Sequence, residues 1–366
     1  MAVHTKPSAR RIQDASSVDE TLALMKARLS GVVAEADMPR KAEMAFAINR
    51  LKHERNAIVL GHNYMEPALY HSVPDHVGDS LQLSRQCVGT KADIIVFCGV
   101  RFMAETAKVL NPDKTVLIPS LEAGCSLAEG ISAQQVRELK RVYPGAPVIT
   151  YVNTYADVKA ESDCSCTSGN ATAVLRHYVE EGHERILFLP DEFLAHNTAN
   201  ALGLAFVVAP ESLEDVPENL GVVPGKPTVI GCRVHCEVHE QFTPEHVRAV
   251  RAALPDAVIL AHPECAPEVM ALVDVAGSTK KMVEYLRDVD AAHYVLLTDA
   301  SMAENLAAEY PHRDVVRPQE YRCRHMQIIT LEQTLAALEN RQYQIALAPD
   351  VIARATAPIR KMLEIL

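Results

Sequence analysis

The stretch Ala57-Ile58-Val59-Leu60-Gly61-His62-Asn63-Tyr64 decides the fold. Its first four residues form an apolar run too short for a buried helix, and it stops at a glycine followed by polar side chains. Such a run reads as a strand covered on both faces, as in a parallel sheet with helices on either side. In open α/β sheets ligands bind outside the carboxyl ends of the strands, which is where His62, Asn63 and Tyr64 fall. The same design recurs twice: Val148–Val152 runs into Tyr151-Val152-Asn153-Thr154, and Ala257–Ala261 runs into His262-Pro263-Glu264-Cys265. Further short apolar runs at Asp93–Cys98, Thr115–Ile118, Arg185–Leu189, Thr228–Ile230 and His293–Leu297 alternate with amphipathic stretches, so the class is α/β. Ahead of them, a helical pattern from Val18 to Val33 and a loop at Asp37-Met38-Pro39 precede a second helical run.

Each polar strand end is followed by a hydroxyl-bearing turn that opens a helix: Gly78-Asp79-Ser80, Thr167-Ser168-Gly169-Asn170 and Gly277-Ser278-Thr279. His62 to Ser80, Tyr151 to Ser168 and His262 to Ser278 span 18, 17 and 16 residues, and Cys125, Cys236 and Cys323 follow the three serines by 45, 68 and 45. This periodicity predicts three homologous units of about 85 to 110 residues, each lending strand ends, one helix N-terminus and one cysteine to a shared centre. The expected division is an N-terminal extension, partly helical, over 1–45, then α/β domains over 46–130, 131–240 and 241–326. A C-terminal segment, 327–366, is expected to pack back on the first domain.

Composition narrows the chemistry. A chain of 366 residues with net charge −11, no Trp and 5% aromatic residues argues against a nucleic-acid surface. No run approaches the roughly 18 apolar residues of a membrane span, so a cytoplasmic protein acting on small molecules is expected. No two glycines lie two apart, which removes the G-x-G-x-x-G fingerprint; the phosphate-binding P-loop motif is missing, and so is H-E-x-x-H.

The nine cysteines are odd in number and widely spaced, unlike a disulfide framework. Cys125, Cys236 and Cys323 are what three equivalent units would bring to one metal centre. Three thiolates on a cubane iron–sulfur cluster would leave one iron open as a Lewis acid, a site suited to dehydration; a structural zinc and plain packing are the competing readings. Cys164, Cys166 and Cys232 read as small buried side chains, Cys87 and Cys98 as packing residues, and Cys265 is ambiguous. The hydroxyl turns suit phosphate and carboxylates, although each alone is also an ordinary helix cap. His62 with Tyr64, Tyr151 with Asn153 and His262 with Glu264 alternate along extended strand ends and should face the same way in pairs.

Taken together, these residues resemble the quinolinate synthase A family. The resemblance is carried by Gly61–Tyr64, Val77–Leu83, Phe102–Lys108, Ala123–Ala128, Tyr151–Thr154, Val238–Phe242, His262–Glu264, Gly277–Thr279 and Cys323–Met326, from about residue 46 to the end. It implies condensation of iminoaspartate with dihydroxyacetone phosphate to quinolinate, with loss of phosphate and water, in NAD biosynthesis. It also implies a triangular fold of three pseudo-symmetric α/β/α domains around a central site. The implied cofactor is a [4Fe–4S] cluster on Cys125, Cys236 and Cys323. Glu264, His262, Tyr64 and His62 are implied as catalytic. Substrate binding falls to these with Tyr151 and Asn153, and Ser80, Ser168, Ser278 and Thr279 would be the anion seats. An aspartate-oxidising enzyme or aspartate dehydrogenase is the implied transient partner. The sequence departs from many relatives at Met65, where they carry Gln, and in leaving Cys323 without a Cys-x-x-Cys-x-x-Cys context. A metabolite sensor carrying the cluster, and a zinc enzyme with Cys/His ligation, are the rival classes.

Overall fold

The computed structural model describes residues 11–210, 212 and 223–365. The first unit contains β1 (Ala57–His62), β2 (His76–Gly78), β3 (Ile94–Cys98) and β4 (Thr115–Leu117). The second contains β5 (Val148–Tyr151), β6 (Cys164–Cys166), β7 (Arg185–Leu189), β8 (Ala205–Val208) and β9 (Thr228–Gly231). The third contains β10 (Ala257–Ala261), β11 (Val275–Ala276), β12 (His293–Leu297) and β13 (Val315–Val316).

The strands form three parallel sheets ordered β2-β1-β3-β4, β6-β5-β7-β9-β8 and β11-β10-β12-β13, flanked by helices. In every unit the strand ending in the polar cluster is interior, with the short strand before the hydroxyl turn on one side and a longer strand on the other. That interior position explains the unbroken apolar runs, because both faces of each strand are covered. It also aligns the carboxyl ends of all three sheets with their functional residues. The second sheet alone has a fifth strand, β8, ahead of β9, and this accounts for its longer serine-to-cysteine interval.

The helix expected over 18–33 closes at Leu29, and the next begins at Met38 rather than beyond a loop. Pro39 lies in its first turn, where a missing N–H costs no helical bond. One continuous apolar core joins the N-terminal helices, the first sheet, much of the second sheet and the C-terminal helix Pro349–Glu364. The third sheet has its own clusters on its two faces. No helix among the described residues is long and apolar enough to cross a membrane.

Candidate active site

The carboxyl ends of the three sheets meet at one cavity. Its wall includes His62, Tyr64 and Ser80 from the first unit, Tyr151, Asn153 and Ser168 from the second, and His262, Glu264 and Thr279 from the third, with Cys125, Cys236 and Cys323. Ser278 stands one residue behind, its Oγ accepting the Lys281 N–H at 3.4 Å as a helix cap. In the first unit Asp79 holds that capping place and accepts the Gln82 N–H at 2.9 Å, leaving Ser80 to face the cavity. The hydroxyl turns converge: a Cβ on Gly169 would lie 3.5 Å from Ser278 Oγ and 3.8 Å from Asp79 Oδ2.

The strand ends are turns rather than extended chain. Met65 N–H returns to His62 O at 3.1 Å, and Cys265 N–H to His262 O at 2.9 Å. Inside these turns the Tyr64 N–H donates to His62 Nδ1 at 3.2 Å and the Glu264 N–H to His262 Nδ1 at 3.4 Å. With Nδ1 accepting in both rings, the proton of each neutral imidazole sits on Nε2. His262 Nε2 then meets Ser168 Oγ at 3.0 Å. Burial holds His62 down at about 3 and His262 at about 4, so both rings are neutral near pH 7.

Glu264 is the electrostatic centre. Burial alone would raise its pKa, but His262, His239 and the Tyr151 hydroxyl outweigh it and hold the carboxyl well below the usual range. His239 Nδ1 lies 2.6 Å from Glu264 Oε2 and 3.2 Å from Cys236 Sγ, while its Nε2 is 3.0 Å from Thr298 Oγ1. Thr298 Oγ1 is in turn 2.6 Å from the Tyr64 hydroxyl. A continuous chain of exchangeable protons thus links Glu264 to Tyr64. Asn153 Oδ1 is buried without a partner among the described residues, an acceptor left for something within the cavity.

The three cysteines occupy equivalent places. The first residue of the helix after β3, β7 or β12 bonds the carbonyl two residues before the cysteine: Arg101 N–H to Ala123 O at 2.8 Å, Glu192 N–H to Val234 O at 3.0 Å and Ala300 N–H to Tyr321 O at 2.9 Å. A short helical turn opens at or just after each cysteine. Backbone N–H groups of those turns reach the sulfurs: Leu127 and Ala128 at Cys125, His239 at Cys236, His325 and Met326 at Cys323. Burial nevertheless pushes all three thiols up, Cys323 to about 12, because it disfavours the charged thiolate. Cys236, His239 and Glu264 also bring one donor atom each within 4.8 Å of one another.

Comparison with known proteins bears directly on this arrangement. Residues 46–364 match the model of the quinolinate synthetase A protein family. Quinolinate synthase 2 of Mesorhizobium japonicum is 43% identical over 350 residues, covering 96% of this chain and 100% of the relative. Quinolinate synthase 1 of the same organism is 47% identical over 317 residues, 87% and 90% of the two chains. The quinolinate synthase of Agrobacterium fabrum is 42% identical over 352 residues, 96% and 94%. The chain belongs to the quinolinate synthetase A family.

Membership in that family implies a metal cofactor, and the cavity offers two overlapping donor sets, Cys236 with His239 and Glu264, and Cys236 with Cys125 and Cys323. Three half-buried cysteines from three units, each met by backbone N–H groups, supply one sulfur apiece, and N–H bonds to sulfur are among the ways proteins tune iron–sulfur centres. Residues at the site to which the sequence assigned no role include His239, Thr298, Asp79 and His325. His239 lies inside the family-like stretch Val238–Phe242, three residues after Cys236, and that spacing is the only signal pointing to it.

Proposed function

We propose that the chain condenses iminoaspartate with dihydroxyacetone phosphate to quinolinate, releasing phosphate and water, in NAD biosynthesis in the cytoplasm. Iminoaspartate would come from an aspartate-oxidising enzyme or an aspartate dehydrogenase. The observation that carries this reading is the meeting, in one cavity, of three equivalent cysteines with three helix-opening turns and the Glu264–His239–Thr298–Tyr64 chain. Cys125, Cys236 and Cys323 would hold a [4Fe–4S] cluster. When bound, such a cluster supplies an open Lewis-acidic iron for a departing hydroxyl.

The chain's own groups do the rest. The substrates bring two carboxylates and a phosphate into a protein of net charge −11, so cationic potential must be local. Helix N-terminal N–H groups with the hydroxyls of Ser80, Ser168 and Thr279 provide it, with Ser278 bracing Thr279 from behind. His62 and His262, neutral with Nε2–H as donor, and Asn153 orient carboxylate oxygens without adding charge. Tyr64 can give a proton at the substrate and regain one from Thr298 and His239. Glu264, ionised and hydrogen-bonded to His239 and the Tyr151 hydroxyl, accepts protons released as the new bonds form.

The test is an anaerobic assay of iron- and sulfide-reconstituted protein with iminoaspartate and the triose phosphate. Quinolinate should accumulate, and Glu264→Gln should lower turnover by about 10²–10⁴-fold, the range for a lost acid–base group, with the cluster absorbance retained. A wild-type protein loaded with cluster that makes no quinolinate would refute the proposal and favour a sensor.

A further inference from the structure

Each of the three strand-end turns is held from behind by a single nitrogen that bonds the carbonyls on both sides of its functional residue. Asn305 Nδ2 donates to Asn63 O at 3.0 Å and Met65 O at 2.9 Å, around Tyr64. Asn197 Nδ2 donates to Pro263 O at 2.9 Å and Cys265 O at 2.8 Å, around Glu264. Lys159 Nζ donates to Val152 O at 2.8 Å and to Thr154 O, around Asn153. One nitrogen can serve the carbonyls of residues i and i+2 only when residue i+1 folds back between them. The bond pair therefore fixes the backbone torsions of i+1 and with them the direction of its side chain. An amide has two N–H groups, and both are used; the flipped amide would set oxygen against oxygen.

The donors follow the pseudo-symmetry. Asn197 and Asn305 are each the sixth residue of equivalent helices, Glu192–Ala201 and Ala300–Glu309. Each reaches the next unit in cyclic order, second to third and third to first. The first residue of the same helices holds the cysteine loop of its own unit. One helix thus ties a candidate ligand loop to the catalytic turn of its neighbour. In the first unit the sixth residue of helix Arg101–Leu110 is Thr106, whose hydroxyl is spent on Phe102 O at 2.8 Å. There the second unit supplies Lys159, fully buried beside the Phe102 ring, and the first-unit helix supplies Glu105, which accepts the Ala156 N–H at 2.8 Å.

We infer that Asn197, Asn305 and Lys159 are positioning residues for Glu264, Tyr64 and Asn153. The kinetic part rests on the proposed reaction; the structural part does not. Asn197 is half-buried, at a groove between the second and third units, so its variants should fold. With Asn197→Ala and Asn197→Asp, kcat should fall about 10- to 100-fold, the scale of an ångström-sized misplacement, with KM nearly unchanged. The cluster absorbance should stay at the wild-type level. A merely structural residue would lower thermal stability and leave kcat in place. Independently of turnover, a crystal structure of Asn197→Ala should show the Glu264 carboxylate beyond hydrogen-bonding reach of His239 Nδ1. A retained 2.6 Å contact, or a wild-type kcat in the variant, overturns the inference. A wild-type enzyme without activity would count against the reaction alone, since the crystallographic arm still decides the positioning role.

Discussion

At the scale of single residues, the site keeps its imidazoles neutral by burying them, and that has a measurable cost. His62 and His262 titrate at about 3 and about 4 in the folded chain, below the ordinary 6.5. Between those values each of these rings binds more protons in the unfolded chain than in the folded one, so their contribution to stability falls as pH drops from about 6.5 toward 4. The slope is roughly 1.4 kcal/mol per pH unit for each imidazole fully in that window. Glu264, held low, contributes only below its unfolded pKa and so outside most of this range. Urea unfolding of cluster-free protein from pH 5 to 7 should show the loss, and His262→Asn should flatten it by about one proton's slope; a profile as steep as wild type would contradict the burial argument. His62, Tyr64, His262 and Glu264 were legible in the sequence because they repeat at equivalent strand ends. Thr298 was not: its counterparts just before the equivalent helices are Pro190 and Gly99, so no comparison between units could mark it. Ser278 and Thr279 were legible together as a hydroxyl turn, but the spacing does not say that Thr279 lines the cavity while Ser278 caps the helix.

At the scale of elements, the interior strands were readable, whereas among the edge strands only β4 was. β1, β5, β7, β10 and β12 are covered on both faces and therefore appear as apolar runs. β2, β6, β11 and β13 have two or three residues, too few for any period to register, and their pairing is imposed by the neighbouring strand. The cysteine turns were visible only as recurrences; their shared helix-to-carbonyl bond is a tertiary contact no spacing can report. That shared bond gives a sharp expectation. Cys125→Ala, Cys236→Ala and Cys323→Ala should each leave reconstituted protein with iron and visible absorbance near background. Cys232→Ala, Cys164→Ala and Cys87→Ala should keep both. Cys232 donates to Pro190 O at 3.1 Å and Cys164 to Ser165 O at 3.1 Å, and none of these three lines the cavity. Loss of the cluster on changing Cys232 would shift the second ligand by four residues.

For the whole molecule, the central question is how three small sheets, each with few strands, keep their carboxyl ends in register around one cavity. The first two share a core, and the helix Pro349–Glu364 helps to seal it: Ala355, Ile359 and Met362 are fully buried, and the helix packs on β6 and on helices Ala156–Lys159 and Arg101–Leu110. Asn170 Nδ2 bonds Met362 O at 2.9 Å and Ile365 O at 3.1 Å, while its Oδ1 accepts the Thr167 N–H at 2.8 Å, so the end of this helix braces the turn that carries Ser168. The third sheet is buried mainly against its own helices and reaches the others through polar links such as Asn197, Asn305 and the Tyr64–Thr298 contact, and through the packing of helix Ala300–Glu309 on helices Val18–Leu29 and Pro67–Ser72. Opening one core should therefore loosen two sheets together and spare the third. Met362→Ala removes a buried side chain from the shared core and should cost about 2–5 kcal/mol in urea unfolding. In native-state hydrogen exchange the amides of β1, β3, β5 and β6 should speed up in common, whereas those of β10 and β12 hold their protection. Equal acceleration in all three sheets would mean instead that the polar links make the molecule a single cooperative unit, with the third sheet as firmly bound as the first two.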